Sequence, residues 1–318
     1  MNNTSDQPSP INEPKQRGRF ADFFIRLLKE KPLGMLGGVI ILLLIGISLF
    51  ADVLAPYPYK KIHLRDRMQE ASAQYLLGTD HVGRDLLSRL IHGARISLGV
   101  GLAATTINVL VALLVGGVSG FLGGKLDLAM QRLVDAWIAF PGLLLLLTIM
   151  SIVGQGLLQL ILVLGIAGGV EGSRVVRGAV IAIKENDYFL AAKALGSPLP
   201  TTLRRHVLPN IMPPLIIIFS INIGGVIMSE AALSFLGFGL PPNIPSWGGM
   251  LSREGRLYME MAPWLALWPG LCLTMVVFSF NMFGDALRDL FDPRLRGGEG
   301  RYGTAGKRKR GLLSRLLN

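Results

Sequence analysis

The feature that most constrains this chain is a set of five long stretches without a single charged residue. Leu33–Phe50 runs 18 residues, Leu98–Gly124 runs 27, Ala136–Val170 runs 35, and His206–Ser229 and Met261–Gly284 run 24 each. A helix crosses a hydrocarbon core with about 20 apolar residues, so four of these runs each suit one span. The 35-residue run is too long for one. It contains Gly154-Gln155-Gly156, a turn sequence, which divides it into spans near 133–152 and 157–170. The second is short and glycine-rich, with Gly165, Gly168 and Gly169. Backbone polar groups in lipid are satisfied only in helices or closed barrels. These runs are continuous rather than alternating, so the expectation is an all-α polytopic membrane protein with six transmembrane helices.

Composition narrows the function classes. Hydrophobic residues make up 51% and charged residues 17% of the 318, against roughly a quarter charged in an average soluble domain. That content excludes a disordered chain. The single Cys272 excludes an intramolecular disulfide and a cysteine-based metal cluster, and histidines 63, 81, 92 and 206 have no ligand spacing. The net charge of +11 lies between apolar blocks. No aromatic–basic platform of the kind that stacks nucleic-acid bases accompanies it.

The distribution of that charge orients the chain. Of 32 Lys and Arg residues, 23 fall in segments 1–32, 123–132, 171–205 and 285–318, and nine in 51–97, 151–156 and 237–262. By the positive-inside bias the first set, with both termini, is cytoplasmic. The division is then a cytoplasmic segment 1–32, a six-helix domain 33–284 and a basic tail 285–318. Within the domain lie outer loops 51–97 and 237–262 and a cytoplasmic loop 171–208. The first apolar run lacks a small-x-small exit and reads as a retained helix rather than a cleaved signal. Lys307-Arg308-Lys309-Arg310 in the tail suits anionic lipid heads or a disordered solubilising tail. Gly116 and Gly120, four apart, suit close helix packing in the second span.

The cytoplasmic loop has a distinct pattern. Glu185–Leu195 is a good helix former, with Tyr188, Ala191, Ala192 and Leu195 on one face and Lys184, Asp187 and Lys193 around it. Gly196 is placed to stop that helix in a left-handed position. Ser197 and Pro198 are placed to start another, running to about His206, before Pro209 marks the fifth span. Helix, sharp turn and helix across the membrane surface suit either an interfacial cover or a protein-docking element.

Outside, Asp80, Arg84, Asp85, Arg89 and Arg95 lie within sixteen residues. The spacing allows Asp85–Arg89 and Arg84–Ser88 contacts on a helix. They suit a scaffold bracing the outer mouth, or contact with solute or a docking protein. Glu230, near an outer span end, suits the pathway, a wet position or a pair with an arginine such as Arg253; Asp135 suits a helix-end role. Trp247, Trp264 and Trp268 suit interfacial anchoring, and Pro241, Pro242 and Pro245 a rigid outer loop. There is no HExxH, no glycine–lysine phosphate loop and no nucleophile–base set, so no catalysis is expected on this chain.

At this point the chain resembles a known family. Leu190-Ala191-Ala192, three residues, Gly196, nine residues, then His206-Val207-Leu208-Pro209 follow the Glu-Ala-Ala…Gly…Ile-x-Leu-Pro pattern of permease subunits of binding-protein-dependent ATP-binding-cassette importers. Leu190 and His206 depart from it. Leu77-Gly78-Thr79-Asp80, Gly83-Arg84-Asp85, Gly93-Ala94-Arg95-Ile96-Ser97-Leu98, Ser234-Phe235-Leu236-Gly237-Phe238-Gly239, Trp247-Gly248 and Asp292-Pro293 are similar to the second permease of the dipeptide, oligopeptide and nickel group. The resemblance spans roughly residues 33–296 and implies the type I importer permease fold. It implies a second homologous permease, two ATPases carrying ATP and magnesium, an extracytoplasmic solute-binding protein, and residence in a bacterial cytoplasmic membrane. Asp187, Tyr188, Ala191, Ala192, Leu195, Gly196, Ser197, Arg204, Leu208 and Pro209 would couple the permease to the ATPase. The implied solute is a di- or oligopeptide, with nickel complexes or another small solute as the alternative. A self-sufficient secondary transporter, a membrane enzyme and an assembly scaffold are the other classes weighed. The few charges in the spans and the missing motifs count against the first two.

Overall fold

The computed structural model describes residues 19–291. The basic run Lys307–Arg310 and the Asp292-Pro293 pair lie outside the described residues. An amphipathic helix α1 (Arg19–Glu30) leads into α2 (Pro32–Leu49) and the short α3 (Ala51–Leu54). A loop with one 3₁₀ turn at Leu64–Asp66 reaches α4 (Leu86–Leu122), then α5 (Gly124–Ile138), α6 (Gly142–Val153) and α7 (Leu157–Lys184). The loop expected on the cytoplasmic side holds α8 (Asp187–Ala194) and α9 (Leu199–Thr202), and a π-helical turn at Leu203–Val207 continues into α10 (Leu208–Phe235). Outer helices α11 (Trp247–Met250) and α12 (Arg256–Tyr258) flank a second π-helical turn at Leu251–Gly255 and precede α13 (Trp264–Phe291).

Five helices, α2, α4, α7, α10 and α13, are long and apolar enough to cross a membrane, and the bent pair α5–α6 is together long and apolar enough for a sixth, broken span or a re-entrant loop. The span expected near 133–152 is therefore corrected to this bent pair. The chain bends by 90° between α5 and α6. Pro141, with ψ at 121°, is the residue before α6. Proline lacks the N–H for a helical bond and disfavours helical geometry at Phe140 before it. α6 alone has 12 residues, about 18 Å at 1.5 Å per residue, too short to cross.

The fourth span is also longer than its charge-free run. α7 continues from Gly156 through Glu171, Arg174 and Arg177 to Lys184, so residues 171–184 are helix rather than loop. Val176, Val180 and Ile183 keep the helical spacing and are buried. α4 likewise begins twelve residues before its apolar run, at Leu86, because Asp85 caps it: the carboxylate accepts from Ser88 N at 2.8 Å.

Glycines set how closely the helices meet. A Cβ on Gly116 of α4 would lie 2.1 Å from the Ser173 carbonyl oxygen of α7, and one on Gly120 would lie 2.9 Å from that of Arg177. The spacing noted in the sequence thus places α4 backbone on α7 backbone, as small residues allow in membranes. α13 packs between α2 and α10. The largest core cluster gathers Ile41 and Leu44 of α2, Leu90, Ala94 and Leu98 of α4, Ile223 and Ile227 of α10, and Val276 and Phe280 of α13 around Trp247. Lys31 Nζ lies 2.6 Å from Asp289 Oδ2, which puts the start of α2 and the end of α13 on one face.

Candidate functional site

Three places concentrate polar chemistry: the inner helix–turn–helix, the outer loops and a cleft between spans. In the first, Phe189 is buried and anchors α8 against Phe121 at the end of α4. The same helix leaves Tyr188 and Leu190 at 41% and 51% exposure, and Leu195, just past its end, is 87% exposed. Ala191 is exposed and Ala192 half-buried. Gly196 has φ +72°, and Ser197 N donates to the Ala192 carbonyl at 3.0 Å, the six-to-one bond of a Schellman stop. Asp187 opens α8. The chain restarts as α9 after Pro198. It does not end near His206: the π-helical turn carries it into α10, with Pro209 as the second residue of α10. Thr201, Arg204, Arg205 and Pro209 line a small surface cleft beside it, and Leu208 is 40% exposed.

Behind this loop the helices are tied. Asp127 of α5 accepts from Arg177 Nε and Nη2, both at 2.7 Å, and from Ser119 Oγ. Lys184 Nζ donates to the carbonyls of Gly120 and Phe121 at 3.1 and 2.7 Å, capping the end of α4. Asp135 pairs with Arg174.

On the outer side the structure brings four expected residues together differently from their spacing. Asp80 is fully buried; its carboxylate accepts from Val82 N at 3.0 Å, Arg84 N at 2.9 Å and Arg84 Nε. Arg84 Nη2 reaches Glu254 Oε1 at 2.6 Å, and the buried Arg89 reaches the same oxygen at 3.0 Å. Glu254, on the turn after α11, is the residue the sequence reading missed. It stands 170 positions from Arg84, and no local spacing announces it. The expected Asp85–Arg89 and Arg84–Ser88 contacts do not form: Asp85 takes Ser88 Oγ at 2.6 Å, and both arginines go to Glu254. Arg95 lies apart, donating to the Ser48 carbonyl and Asp52, and with His92 it holds the Asp52 carboxyl below the usual carboxylate range.

Asp80, His81 and Glu254 offer ligand atoms within 4.8 Å of one another. The two guanidinium groups on these carboxylates already balance their charge, so the set does not suit a cation.

Glu230 is fully buried and accepts from Ser234 Oγ at 2.8 Å and Ser246 Oγ at 2.9 Å. Its pairing with Arg253 is not found; that guanidinium donates to the Leu240 carbonyl at 2.8 Å. Trp247 is not an interfacial anchor either. It is 1% exposed, its indole donates to the Leu90 carbonyl at 3.0 Å, and its N–H donates to Ser97 Oγ. Trp264 ties the start of α13 to the Thr79 carbonyl.

The third place is a cleft of about 580 Å³ between α4, α6, α7 and α10, with Asn108, Gly142, Glu171, Asn222 and Ser229 among its lining.

With this geometry in place, two family descriptions match. The N-terminal transmembrane domain of oligopeptide transport permease C matches residues 19–74. The binding-protein-dependent transport system inner membrane component matches residues 80–297, well over half the chain. The chain belongs to this family. It is thus a permease subunit of an ATP-binding-cassette importer and not the ATPase. Relatives of the permease extend over nearly its whole length. It is 35% identical over 291 residues to the dipeptide transport permease DppC of Alkalihalophilus pseudofirmus, covering 92% of this chain and 95% of that one. It is 36% identical to the oligopeptide transport permease OppC of Bacillus subtilis, covering 89% and 92%. It is 35% identical to the glutathione transport permease GsiD of Pectobacterium atrosepticum, covering 90% and 95%. In fold, the permease is similar to a chain of the inward-facing MetNI methionine transporter, with TM-score 0.54 and 18% identity over 64% of this chain and 96% of that one.

Proposed function

We propose that this permease imports di- or oligopeptides, as the substrates named for its dipeptide and oligopeptide relatives suggest. In this reading it pairs with a second homologous permease. Two ATPases with ATP and magnesium sit beneath, and an extracytoplasmic binding protein delivers the solute. Both termini face the cytoplasm of a bacterial inner membrane, in keeping with the 23 basic residues on that side and the Lys31–Asp289 contact.

The observation that carries the coupling role is the surface of α8. A membrane protein that only covered its own underside would turn the apolar residues of such a helix inward. Here one residue, Phe189, goes in, and Leu190 and Leu195 stay out beside Tyr188 and the small Ala191 and Ala192. An apolar patch next to small side chains suits a closely packed protein partner. The Schellman stop at Gly196 fixes the angle at which α9 leaves, so the patch is presented at a set orientation. On the outer side, Asp80, Arg84, Arg89 and Glu254 suit a fixed scaffold rather than a solute site, because two guanidinium groups balance two carboxylates, although Arg89 Nε and Glu254 Oε2 have no hydrogen bond.

The test is reconstitution. The chain, its neighbouring permease, ATPases and binding protein are placed in proteoliposomes with ATP enclosed at the ATPase face. Labelled di- and tripeptides should accumulate only with ATP and binding protein present. Uptake driven by an ion gradient without ATPases would overturn the reading in favour of a secondary transporter.

A further inference from the structure

Glu171 stands at the middle of α7, a helix of 28 residues. It lies about 21 Å from the first residue and about 20 Å from the last at 1.5 Å per residue. A hydrocarbon core is about 30 Å thick. Any 30 Å portion of this roughly 40 Å helix includes Glu171, which stands one residue past the charge-free run that ends at Val170, toward the Arg174–Lys184 end of the crossing. Yet the side chain is exposed in this subunit, and no hydrogen bond or ion pair engages its carboxylate among the described residues. The basic residues that follow it on the helix are committed elsewhere, Arg174 to Asp135 and Arg177 to Asp127. A free carboxylate at that depth is costly in lipid and belongs to a water-filled cavity or a pathway.

The structure supplies such a cavity, the cleft between α4, α6, α7 and α10. The Glu171 Oε1 atom lies 3.7 Å from where a Gly142 Cβ would stand, so the carboxylate sits against the first residue of α6. Asn108 of α4 lines the same cleft. It is 3% exposed, and its Oδ1 has no hydrogen-bond partner. That oxygen is held against α7 next to Glu171, 3.6 Å from the position of a Gly172 Cβ. A buried amide oxygen without a donor is rare in a settled structure. Asn222 of α10 completes the polar lining from the other wall. One carboxylate and an unanswered amide oxygen together ask for a cationic group with several N–H donors.

We infer that this cleft receives the ammonium end of the transported solute, with Glu171 as its counter-ion and Asn108 as an accepting neighbour. The inference deepens the peptide reading and rests on it for the identity of the solute. A primary ammonium has three donors, enough for both residues and one more acceptor such as Asn222. The Gly168 and Gly172 positions on α7 let Asn108 lie close to the helix, so its oxygen is held at a set depth.

Two arms test it on the whole transporter in proteoliposomes. In the first, Ser229→Cys is made in a Cys272→Ser background and treated with thiosulfonate reagents carrying a trimethylammonium or a sulfonate. Rates are divided by those with a free thiol in solution. With Glu171 present, the cationic reagent should be favoured about tenfold, as an unpaired carboxylate lining the same cleft attracts it, and Glu171→Gln should remove the preference. An unreactive thiol, or the same ratio in both backgrounds, overturns the inference. In the second, uptake of a tripeptide is compared with that of its N-acetylated form, each normalised for affinity to the binding protein. Glu171→Gln should cut uptake of the free-amine form about tenfold or more, spare the acetylated one, and leave ATPase assembly unchanged. Glu171→Asp should restore part of the loss. Equal loss for both peptides would make Glu171 an interface residue and overturn the inference. If no peptide is carried while the reagent preference holds, the peptide reading fails and the cleft stands as a cation site for another solute.

Discussion

The outer and inner ends of this permease are built on opposite plans. Outside, opposite charges are paired within the chain, although Arg89 Nε, Glu230 Oε2 and Glu254 Oε2 stay buried without a hydrogen bond. Asp80, Arg84, Arg89 and Glu254 form one buried lattice, Asp85 caps α4, and Trp247 fills the core with its N–H satisfied. Inside, α8 is held by one buried aromatic and leaves its apolar residues in the open. A buried lattice resists deformation because removing one member strands the others in a poorly solvated place. An exposed apolar patch on a short helix gains its stability only when something covers it. The difference teaches which end is closed by its own charge pairs and which end leaves an apolar surface for the partner proposed above.

The largest effect that would break this contrast is at the lattice. Arg89→Met leaves Asp80 and Glu254 with one arginine between them. The expected loss of stability is about 3 kcal/mol or more, read as a fall in the thermal unfolding midpoint of the purified complex. An unchanged midpoint would mean the outer end is not the rigid one. Next is Ala192→Trp. Enlarging a residue in a packed contact costs about 1–3 kcal/mol, and under the coupling proposal that contact is with the ATPase. The permease should keep its unfolding midpoint, reach the membrane and lose most of its ATPase on co-purification.

Gly196→Val should do comparable or slightly smaller damage. Its φ of +72° costs a β-branched residue about 1–2 kcal/mol, although no atom stands within 4 Å of a Cβ there. The misdirected turn should lower solute-stimulated ATP hydrolysis, and Gly196→Asn, which tolerates that conformation, should recover most of it.

The smallest effect sharpens the outer side. The Tyr75 hydroxyl is pushed up to about 12 by burial and by its bond to Asp66. Between pH 10 and 12 the unfolded phenol loses its proton while the folded one keeps it. The folded state then binds more protons, so stability falls as pH rises through that window. Tyr75→Phe should flatten the alkaline limb of the unfolding midpoint against pH, beside a small pH-independent fall from the lost bond to Asp66.

What the sequence revealed follows from how far each signal reaches. Charge-free runs locate spans because lipid excludes charge locally, residue by residue. Gly116 and Gly120 announced a close approach because four-residue spacing is a property of one helix. The stop at Gly196 was legible for the same reason. The end of α7 was not, because Glu171, Arg174 and Arg177 interrupt the apolar run, although Val176, Val180 and Ile183 carry its helical spacing onward. The break before α6 had a local signal in Phe140-Pro141-Gly142, which the hydrophobicity of the run outweighed. Glu254 and the burial of Trp247 had none. Their partners lie on α4 and in the first outer loop, and only the assembled helices bring them within reach.

The account's central claim is that the surface of α8 is completed by the ATPase. Ala192→Cys in a Cys272→Ser background, paired with single cysteines along the surface groove of the ATPase, measures this directly under mild oxidation of the assembled transporter. The account predicts a disulfide that forms at one or two groove positions, changes in yield when ATP is bound, and stops solute-stimulated hydrolysis. No crosslink at any groove position, in a transporter that still hydrolyses ATP and imports solute, would contradict it.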